Sequence, residues 1–404
     1  FLRFLFDWQR VTHSSRMQGP DAVASILGQL EGFEAPAAAW ESEILPLRIA
    51  EYDPAWLDEQ CLAGRIVWTR LSSRTGDAER GASPVRSTPI VLLARRNVKS
   101  WTHFAASSAP TRVTSKAERI AEALQQHGAS FFDEIVESTG LLPVQVEEAL
   151  AELVAHGIVN SDSFGGLRTL LIPADRRRPS GHARRRRRAA IFSMQDAGRW
   201  TIRRGALAGA RQSDAKDFAS RGQSGPASYG PRTDPEAVEH LCRTLLDRWG
   251  VVFWKLLDRE ADWLPPWREL LLCLRRLEAR GEIRGGRFVA GYSGEQFALP
   301  EAIGPLREAR RQPHAGEYLS VSAADPLNLV GILTPGGRVP SLTGNRVLYC
   351  DGVPLALFVA GQVRFLQALD PETQWRAQNA LLRRQPFESA EDTQPVARDN
   401  ARQS

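Results

Sequence analysis

The stretch from 265 to 300 changes its hydrophobic period part of the way along. Its first half carries leucines at helical spacing, namely Leu270, Leu274 and Leu277. This spacing predicts an amphipathic helix that ends at Gly281. Beyond this glycine, apolar residues alternate around Gly285–Gly286 and Ser293–Gly294, which predicts short strands joined by tight turns. A helix, a glycine and a hairpin are typical of the recognition helix and wing of a winged-helix module.

The same order of elements occurs three times along the chain. The glycines that end the three helices are Gly64, Gly157 and Gly281. The strands of the first copy are predicted at 66–68 and 90–93, and those of the second copy at 158–159 and 170–172. Repetition of one supersecondary unit predicts three tandem winged-helix modules.

After position 318 the pattern changes to short strands with tight turns. Five strands are predicted, at 318–321, 329–333, 346–349, 355–359 and 362–366. Such a series is typical of a small barrel or a curled sheet. We therefore predict an α+β protein in which tandem winged-helix modules are followed by a small β-barrel.

Changes in composition give the boundaries between these units. A stretch rich in arginine, glycine and serine separates the second module from the third, and polar stretches form one loop and the C-terminal tail. The predicted units are winged helix 1 at 1–97 with a mobile wing loop at 72–87, winged helix 2 at 98–173, a linker or arm at 174–233, winged helix 3 at 234–303, a β-barrel with a C-terminal helix at 304–383, and a disordered tail at 384–404.

Arginine supplies most of the positive charge. The chain has 52 Lys and Arg against 47 Asp and Glu, a formal net charge of +5, and its lysines are only Lys99, Lys116, Lys216 and Lys255. An excess of cations is typical of nucleic-acid binders, because contacts to phosphate require them. A bias towards arginine also arises from genome composition, so charge alone leaves both explanations open.

The candidate DNA contacts are arginines of the third module and of the arm. On the helix and wing of the third module they are Arg268, Arg275, Arg276, Arg280, Arg284 and Arg287. In the arm they are Arg184, Arg185 and Arg186, which belong to a block of five arginines. Such blocks bind nucleic acid without sequence preference, but they are equally common as solvated, disordered arms.

The second module carries the opposite charge on the corresponding helix. Its predicted outward residues include Glu147, Glu148 and Glu152, whose carboxylates would repel phosphate. We therefore expect a structural or protein-contact role for this module, with homo-oligomerisation as one form of it.

Missing motifs exclude several classes of function. No run of 18 apolar residues predicts a membrane span. No Gly-x4-Gly-Lys-[Ser/Thr] motif is present, so no ATP or other cofactor is expected in this chain. The histidines and the four scattered cysteines form no metal-ligand pattern, and such cysteines indicate reduced thiols in a cytoplasmic protein. Because the chain begins at Phe1 without a methionine, we expect it to be part of a longer protein.

Five segments resemble the C-terminal region of the large helicase-related (Lhr) proteins, which are bacterial superfamily 2 DNA helicases. They are FLRFLFDWQ at the start, GFEAPAAAWESEILP (32–46), GEIRGGRFVAGYSGEQFALPEA (281–302), SAADPLNLVGI (322–332) and RVLYCDGVPLA (346–356). The resemblance runs through most of the chain in order and fails at 72–87, in the arginine-rich arm and in the tail.

This resemblance implies a context that the residues alone do not reveal. In the family, an ATP-driven core that translocates 3′ to 5′ on single-stranded DNA precedes this region, with ATP and Mg²⁺ as its cofactors. The resemblance also implies a C-terminal part similar to AlkZ-type DNA glycosylases, which consist of tandem winged helices and a β-barrel. The N-terminal helicase core and DNA are therefore the implied partners.

AlkZ-type glycosylases carry a Gln-Φ-Gln or Gln-Φ-Asp motif that positions a water molecule at the sugar of a damaged nucleotide. The matching residues here are Gly32-Phe33-Glu34, so the resemblance makes Glu34 the candidate water-activating carboxylate. Gly32 departs from the motif, since it replaces the first glutamine. A structural alternative stays open, in which Glu34 caps the helix that follows Pro36.

Three functions follow as hypotheses. The first is a DNA-binding accessory region of an ATP-dependent 3′ to 5′ repair helicase, which grips duplex DNA or the separated strands. The second is a DNA glycosylase acting on uracil or an alkylated base. The third is an oligomerisation module.

Overall fold

The computed structural model describes residues 1–71, 85–104, 113–172, 194–203 and 234–382. The candidate contacts Arg184, Arg185 and Arg186 and the predicted tail at 384–404 lie outside the described residues, as does most of the predicted wing loop. The described end of that loop, Val85–Ser87, forms a 3₁₀ turn in which Val85 is buried. In the part of the chain that is described, no helix combines the length and the apolar composition that a membrane crossing requires.

The first module is a winged helix with additional N-terminal elements. Its helices are α1 (Leu2–Trp8), α2 (Asp21–Gln29), α3 (Ala37–Ala39), α4 (Leu45–Arg48), α5 (Pro54–Leu62) and α6 (Val98–Phe104), with a π-helical turn at Trp40–Ile44 between α3 and α4. Its strands are β1 (Met17–Gln18), β2 (Ala35–Pro36), β3 (Ile49–Ala50), β4 (Ile66–Thr69) and β5 (Pro89–Ala94). The strands β4 and β5 pair antiparallel, as the pattern predicted, and β2 pairs with the other edge of β5.

The described residues of the second module form four helices and a two-stranded sheet. The helices are α7 (Ser115–His127), α8 (Phe132–Thr139), α9 (Pro143–Ala155) and α10 (Phe164–Leu171), and the strands are β6 (Val159–Ser161) and β7 (Trp200–Ile202). The helix α9 ends before Gly157, and β6 follows at the predicted place.

The predicted return strand at 170–172 is wrong. Residues 164–171 form α10, and the antiparallel partner of β6 is β7, which comes from the stretch predicted to be an arm. Gly165–Gly166 marks the start of α10 and not a hairpin turn. A Cβ on Gly166 would lie 2.7 Å from the carbonyl oxygen of Ala197, so the glycine lets the helix start approach the backbone that leads into β7.

The third module matches the predicted order of elements. It contains α11 (Pro235–Trp249), α12 (Trp267–Ala279) and α13 (Pro300–Arg311), with strands β8 (Val251–Val252), β9 (Arg284–Gly286) and β10 (Gln296–Ala298) in the order β8-β10-β9. Asp234 caps α11 by accepting a hydrogen bond from the backbone N–H of Glu236 at 3.1 Å. The α+β class is thereby confirmed.

The C-terminal part is an antiparallel sheet covered by one helix. Its strands are β11 (Tyr318–Ser322), β12 (Arg346–Cys350), β13 (Val353–Val359) and β14 (Gln362–Phe365), which pair in that order, and the helix is α14 (Pro371–Leu382). Among the described residues β11 and β14 are the edges of this four-stranded sheet, and no closed barrel is found. The predicted strand at 329–333 forms turns instead, because Ile332, Leu333 and Thr334 all bond back to the carbonyl of Leu329.

Two large hydrophobic cores join the modules. One contains Trp68 of the first module together with Leu150 and Trp200 of the second. The other contains Phe4 of α1 and Leu274 of α12 together with strand residues of the C-terminal sheet. The first helix therefore packs on the third module, where the indole of Trp8 also donates to the carbonyl oxygen of Asp247 at 2.8 Å. Burial across module boundaries fixes the modules as one packed unit.

Candidate nucleic-acid interface

The recognition helix α12 buries one apolar side and exposes its arginines, among which Leu272 is also exposed. Its buried residues are Leu270, Cys273, Leu274 and Leu277. Its arginines Arg268, Arg275, Arg276 and Arg280 are all exposed, as are Arg284 and Arg287 on the wing. The predicted candidates of this module therefore lie at the surface, where cations meet phosphate.

Carboxylates accompany two of these arginines. The guanidinium of Arg275 donates to both oxygens of Glu295, with Nε at 2.9 Å from Oε2, and the two side chains are 52% and 46% exposed. Arg280 bonds to Glu239 at 2.8 Å. Exposed pairs of this kind contribute only about 0–1 kcal/mol, so either arginine can exchange its carboxylate for a phosphate at small cost.

The other four arginines of this face differ from Arg275 and Arg280 in their ion pairing. No ion pair joins Arg268, Arg276, Arg284 or Arg287 to a carboxylate within the described parts of the chain. Arg287 and Arg275 line an open cleft of about 610 Å³ between α12 and the wing, together with the carboxylates of Glu278 and Glu295. Glu278 accepts the N–H of Gly285 at 3.0 Å and so ties the wing to the helix. The cleft itself is thus electrically balanced, and the positive charge lies on the outer face of α12 and the wing.

The second module presents a different surface. The carboxylate of Glu152 on α9 accepts hydrogen bonds from both the N–H and the hydroxyl of Thr114, at 2.7 and 2.6 Å. Glu148 is exposed on the same helix, and Leu142 and Val144 at its start are 66% and 59% exposed. This acidic and apolar surface has no phosphate-binding character.

The candidate carboxylate Glu34 lies at the junction of the first and third modules. It follows Phe33 in the loop between α2 and β2 and is half-buried. The indole Nε1 of Trp263, which precedes α12, donates to Glu34 Oε2 at 2.7 Å. Phe33 is buried beside it, with the guanidinium carbons of Arg248 and Arg259 at 5.4 and 5.0 Å from the ring centre.

The two cations that flank Phe33 are themselves held by protein groups. Arg248 pairs with Glu260, and both side chains are almost fully buried. Arg259 donates to the carbonyl oxygens of Ala324 and Asp325 at 3.1 and 2.7 Å, and burial lowers its pKa to about 10. Cation–π contacts with Phe33 add to this anchoring, so the loop that carries Glu34 is rigidly supported.

Gly32 stands where the glycosylase motif has its first glutamine, and the structure gives a reason for the difference. Gly32 has φ of +74°, and a Cβ built on it would overlap the ring of Trp101 on α6. The indole of Trp101 therefore occupies the space of a side chain at position 32. Trp101 also meets Trp263 edge to face, with ring centres 6.2 Å apart, so it packs against the tryptophan that donates to Glu34.

No pattern in the sequence predicted that Trp263 donates to Glu34 or that Trp101 packs against Trp263. Trp263 is 229 residues away from its hydrogen-bond partner. Neither tryptophan belongs to a recognisable motif, and only the packing of the third module against the first brings them together. The chain contains 11 tryptophans, so tryptophan content alone does not single out these two.

Comparisons with known proteins agree with the winged-helix architecture. Residues 1–95 and residues 231–318 each match a family model described as a large helicase-related protein, winged-helix domain, the third and the fourth such domain respectively. The chain is 28% identical over 396 residues to the Lhr helicase/uracil glycosylase of Escherichia coli K12, with 91% of this chain and 24% of that protein covered. It is 29% identical over 344 residues to the Lhr helicase/probable uracil glycosylase of Mycolicibacterium smegmatis, with 82% and 21% covered. The chain thus spans about a quarter of the length of these relatives.

Proposed function

Because the chain belongs to the large helicase-related family, we propose that it is the part of an ATP-dependent 3′ to 5′ repair helicase that grips duplex DNA or the separated strands. The observation that carries this proposal is the outer face of α12 and the wing, where six arginines are exposed while Leu270, Leu274 and Leu277 on the opposite side of the helix are buried. Phosphate contacts from such a face give affinity without sequence preference.

The helicase activity itself is a proposal for the polypeptide that contains this chain. ATP and Mg²⁺ would belong to its core, since the sequence of this chain has no lysine-bearing phosphate loop that fits them. The role proposed for the described residues is therefore to hold DNA, and no step of ATP hydrolysis is assigned to them.

The test is binding of the purified chain to a fluorescent duplex and to a fork across a salt series. Each phosphate contact on a duplex contributes a slope of about −0.9 to log K against log salt, so the Arg275→Ala/Arg276→Ala variant is expected to lose about 1.8 of the parental slope. Arg307→Ala is the matched control, because Arg307 is an exposed arginine on α13, outside the proposed face. Parental affinity and slope in the double variant would show that α12 is not the DNA-binding face.

A second candidate function is DNA glycosylase activity on uracil or an alkylated base. The names of both relatives support it, and so does the half-buried Glu34, whose carboxylate is oriented by the indole of Trp263. In this proposal Glu34 activates water for attack at the sugar of a nucleotide that has been flipped out of the stack. Gly32 leaves only one polar side chain of the motif, so the proposed reaction depends on Glu34 without help from a neighbouring glutamine.

The glycosylase proposal is tested by incubation with single-stranded DNA containing uracil, followed by alkali. We expect strand cleavage by the parent and none by Glu34→Gln, which keeps the size of the side chain but removes its charge. Trp263→Phe removes the indole donor and keeps an aromatic ring, so it should lower the rate with less effect on DNA binding. Uncut DNA with the parent would show that the chain is not a uracil glycosylase. Unchanged cleavage with Glu34→Gln would show that Glu34 is not the catalytic carboxylate.

A further inference from the structure

A second positively charged surface lies on the C-terminal sheet, far along the chain from α12. We call it the sheet groove and define it by the β13–β14 hairpin on one side and the loop 336–340 on the other. The cavity has a volume of about 650 Å³. Its charged lining residues are Arg338 on the loop and Arg364 on β14.

Strand register explains why this face of the hairpin is open. Leu357 pairs with Arg364 and Val359 with Gln362, so these four side chains share one face of the sheet. The neighbouring pair, Ala356 and Phe365, points to the other face, which α14 covers. One face of the hairpin is therefore packed, and the other forms the floor of the groove.

The charge of the sheet groove is of one sign. Its lining contains two arginines and, among the described residues, no Asp or Glu. Arg338 does pair with Asp258 at 2.8 Å, but the arginine side chain is 58% exposed, so the pair is easily exchanged. Arg364 is exposed and forms no ion pair within the described parts of the chain. This contrasts with the cleft beside α12, where two carboxylates balance the two arginines.

The loop opposite the hairpin adds backbone donors. A Cβ on Gly331 would lie 2.7 Å from the backbone nitrogen of Arg338, so a glycine there lets the loop lie directly on the turn beneath it. The N–H groups of Gly336 and Gly337 donate no hydrogen bond to any described residue, and both glycines are exposed. Exposed N–H groups beside two guanidinium groups suit a phosphate oxygen.

We propose that the sheet groove binds a segment of single-stranded DNA. This rests on the proposed function, since it assigns one of the separated strands to a particular surface. Arg338, Arg364 and the glycine N–H groups hold phosphates. The partly buried Val359 contacts sugars and bases, and Leu357, which is 7% exposed and belongs to the second large core, supports the floor from beneath. A volume of about 650 Å³ lies in the range of small-ligand pockets, about 300–1,000 Å³, so the groove accommodates a short segment of one strand and not a duplex. Because the floor is aliphatic, stacking contributes little and binding is tolerant of sequence.

The test is anisotropy titration with a labelled oligo-dT of about 10–16 nucleotides, the span of typical single-strand sites. Each phosphate contact on a single strand contributes about −0.7 to the salt slope, or about fivefold in affinity between 1 M and 0.1 M salt. Arg338→Ala/Arg364→Ala should therefore weaken binding about 25-fold at 0.1 M salt and hardly at all at 1 M. Arg364→Ala alone should give about fivefold and leaves the Arg338 ion pair intact. Arg307→Ala serves again as the control, and circular dichroism checks that each variant is folded.

The outcomes separate this inference from the function on which it rests. Loss of oligo-dT binding with duplex binding unchanged supports the sheet groove. Parental oligo-dT binding by the double variant overturns it, while a defect of Arg275→Ala/Arg276→Ala on duplex would leave the proposed function standing. An equal loss on duplex and on oligo-dT overturns the assignment to a single strand. Failure of the parent chain to bind any DNA overturns both.

Discussion

Breaking the buried ion pair between Arg48 and Asp325 should destabilise the whole chain. Arg48 on α4 donates through Nη1 and Nη2 to the two carboxylate oxygens of Asp325, at 2.5 and 3.0 Å, and both side chains are fully buried. Arg48 also donates to Gln9 at 2.9 Å, and Asp325 accepts the N–H of Leu327 at 3.0 Å. The pair therefore joins the first module to the connection between β11 and β12 of the C-terminal sheet.

The expected magnitude follows from the burial of both partners. Arg48→Met keeps most of the side-chain volume but leaves the carboxylate of Asp325 buried without its cation, which costs about 3–5 kcal/mol. Asp325→Leu leaves the Arg48 guanidinium without its anion and should cost a similar amount. The double variant removes both charges, so its loss should be smaller than the sum of the single losses by about 2 kcal/mol or more.

The assay is chemical unfolding followed by tryptophan fluorescence, since buried tryptophans occur in both large cores. Because those cores cross module boundaries, we expect one main transition whose midpoint falls in each single variant. Arg307→Ala, at an exposed site, should change the free energy of unfolding by less than about 0.5 kcal/mol. A loss below about 1 kcal/mol for Arg48→Met, or additive losses in the double variant, would refute the reasoning.

Three further predictions concern single residues. Hydrogen bonds from Arg280 and Arg243 lower the pKa of Glu239 to about 2. The stability that this carboxylate contributes is therefore present above its usual pKa and is lost as pH falls through about 2. A carbon NMR titration of Glu239 should show a higher midpoint in Arg280→Ala than in the parent. Gly32→Ala should lower the melting temperature, because it places a methyl group against Trp101 at a positive φ; an unchanged melting temperature would mean that the ring moves aside freely. Glu295→Gln should strengthen duplex binding, since it removes a carboxylate beside the proposed DNA face, and weaker binding would contradict that face.

The repeated modules were predictable because their marks are local. Gly64, Gly157 and Gly281 have φ of +68°, +68° and +77°, so each ends its helix in a conformation that favours glycine. Leucine spacing on α12 then determined which side of that helix is buried. Such signals lie within about 20 residues of one another, which is a distance over which the periodicity of a single sequence can be recognised.

The missed return strand and the missed partner of Glu34 both involve pairing that is distant along the chain. The partner of β6 is β7, which lies beyond an arginine-rich stretch, so the nearest apolar run at 170–172 was taken for the return strand and proved to be helical. The contact between Glu34 and Trp263 had no local mark at all. Resemblance to a family identified Glu34 as a candidate, but only the structure reveals its neighbours.

The distribution of arginines resolves the ambiguity that their number left open. Arg48, Arg168 and Arg248 are buried and Arg259 is partly buried, and all four are bonded to carboxylates or carbonyl oxygens, so they join modules and are not available to a phosphate. A count of charges adds these structural cations to the surface ones, and the net charge of +5 therefore says little about DNA by itself. The informative quantity is the set of exposed arginines that lack a buried partner. That set includes six arginines on the outer face of α12 and its wing and two in the sheet groove, the surfaces to which DNA binding is assigned, and it also includes Arg307, Arg310 and Arg311 on α13.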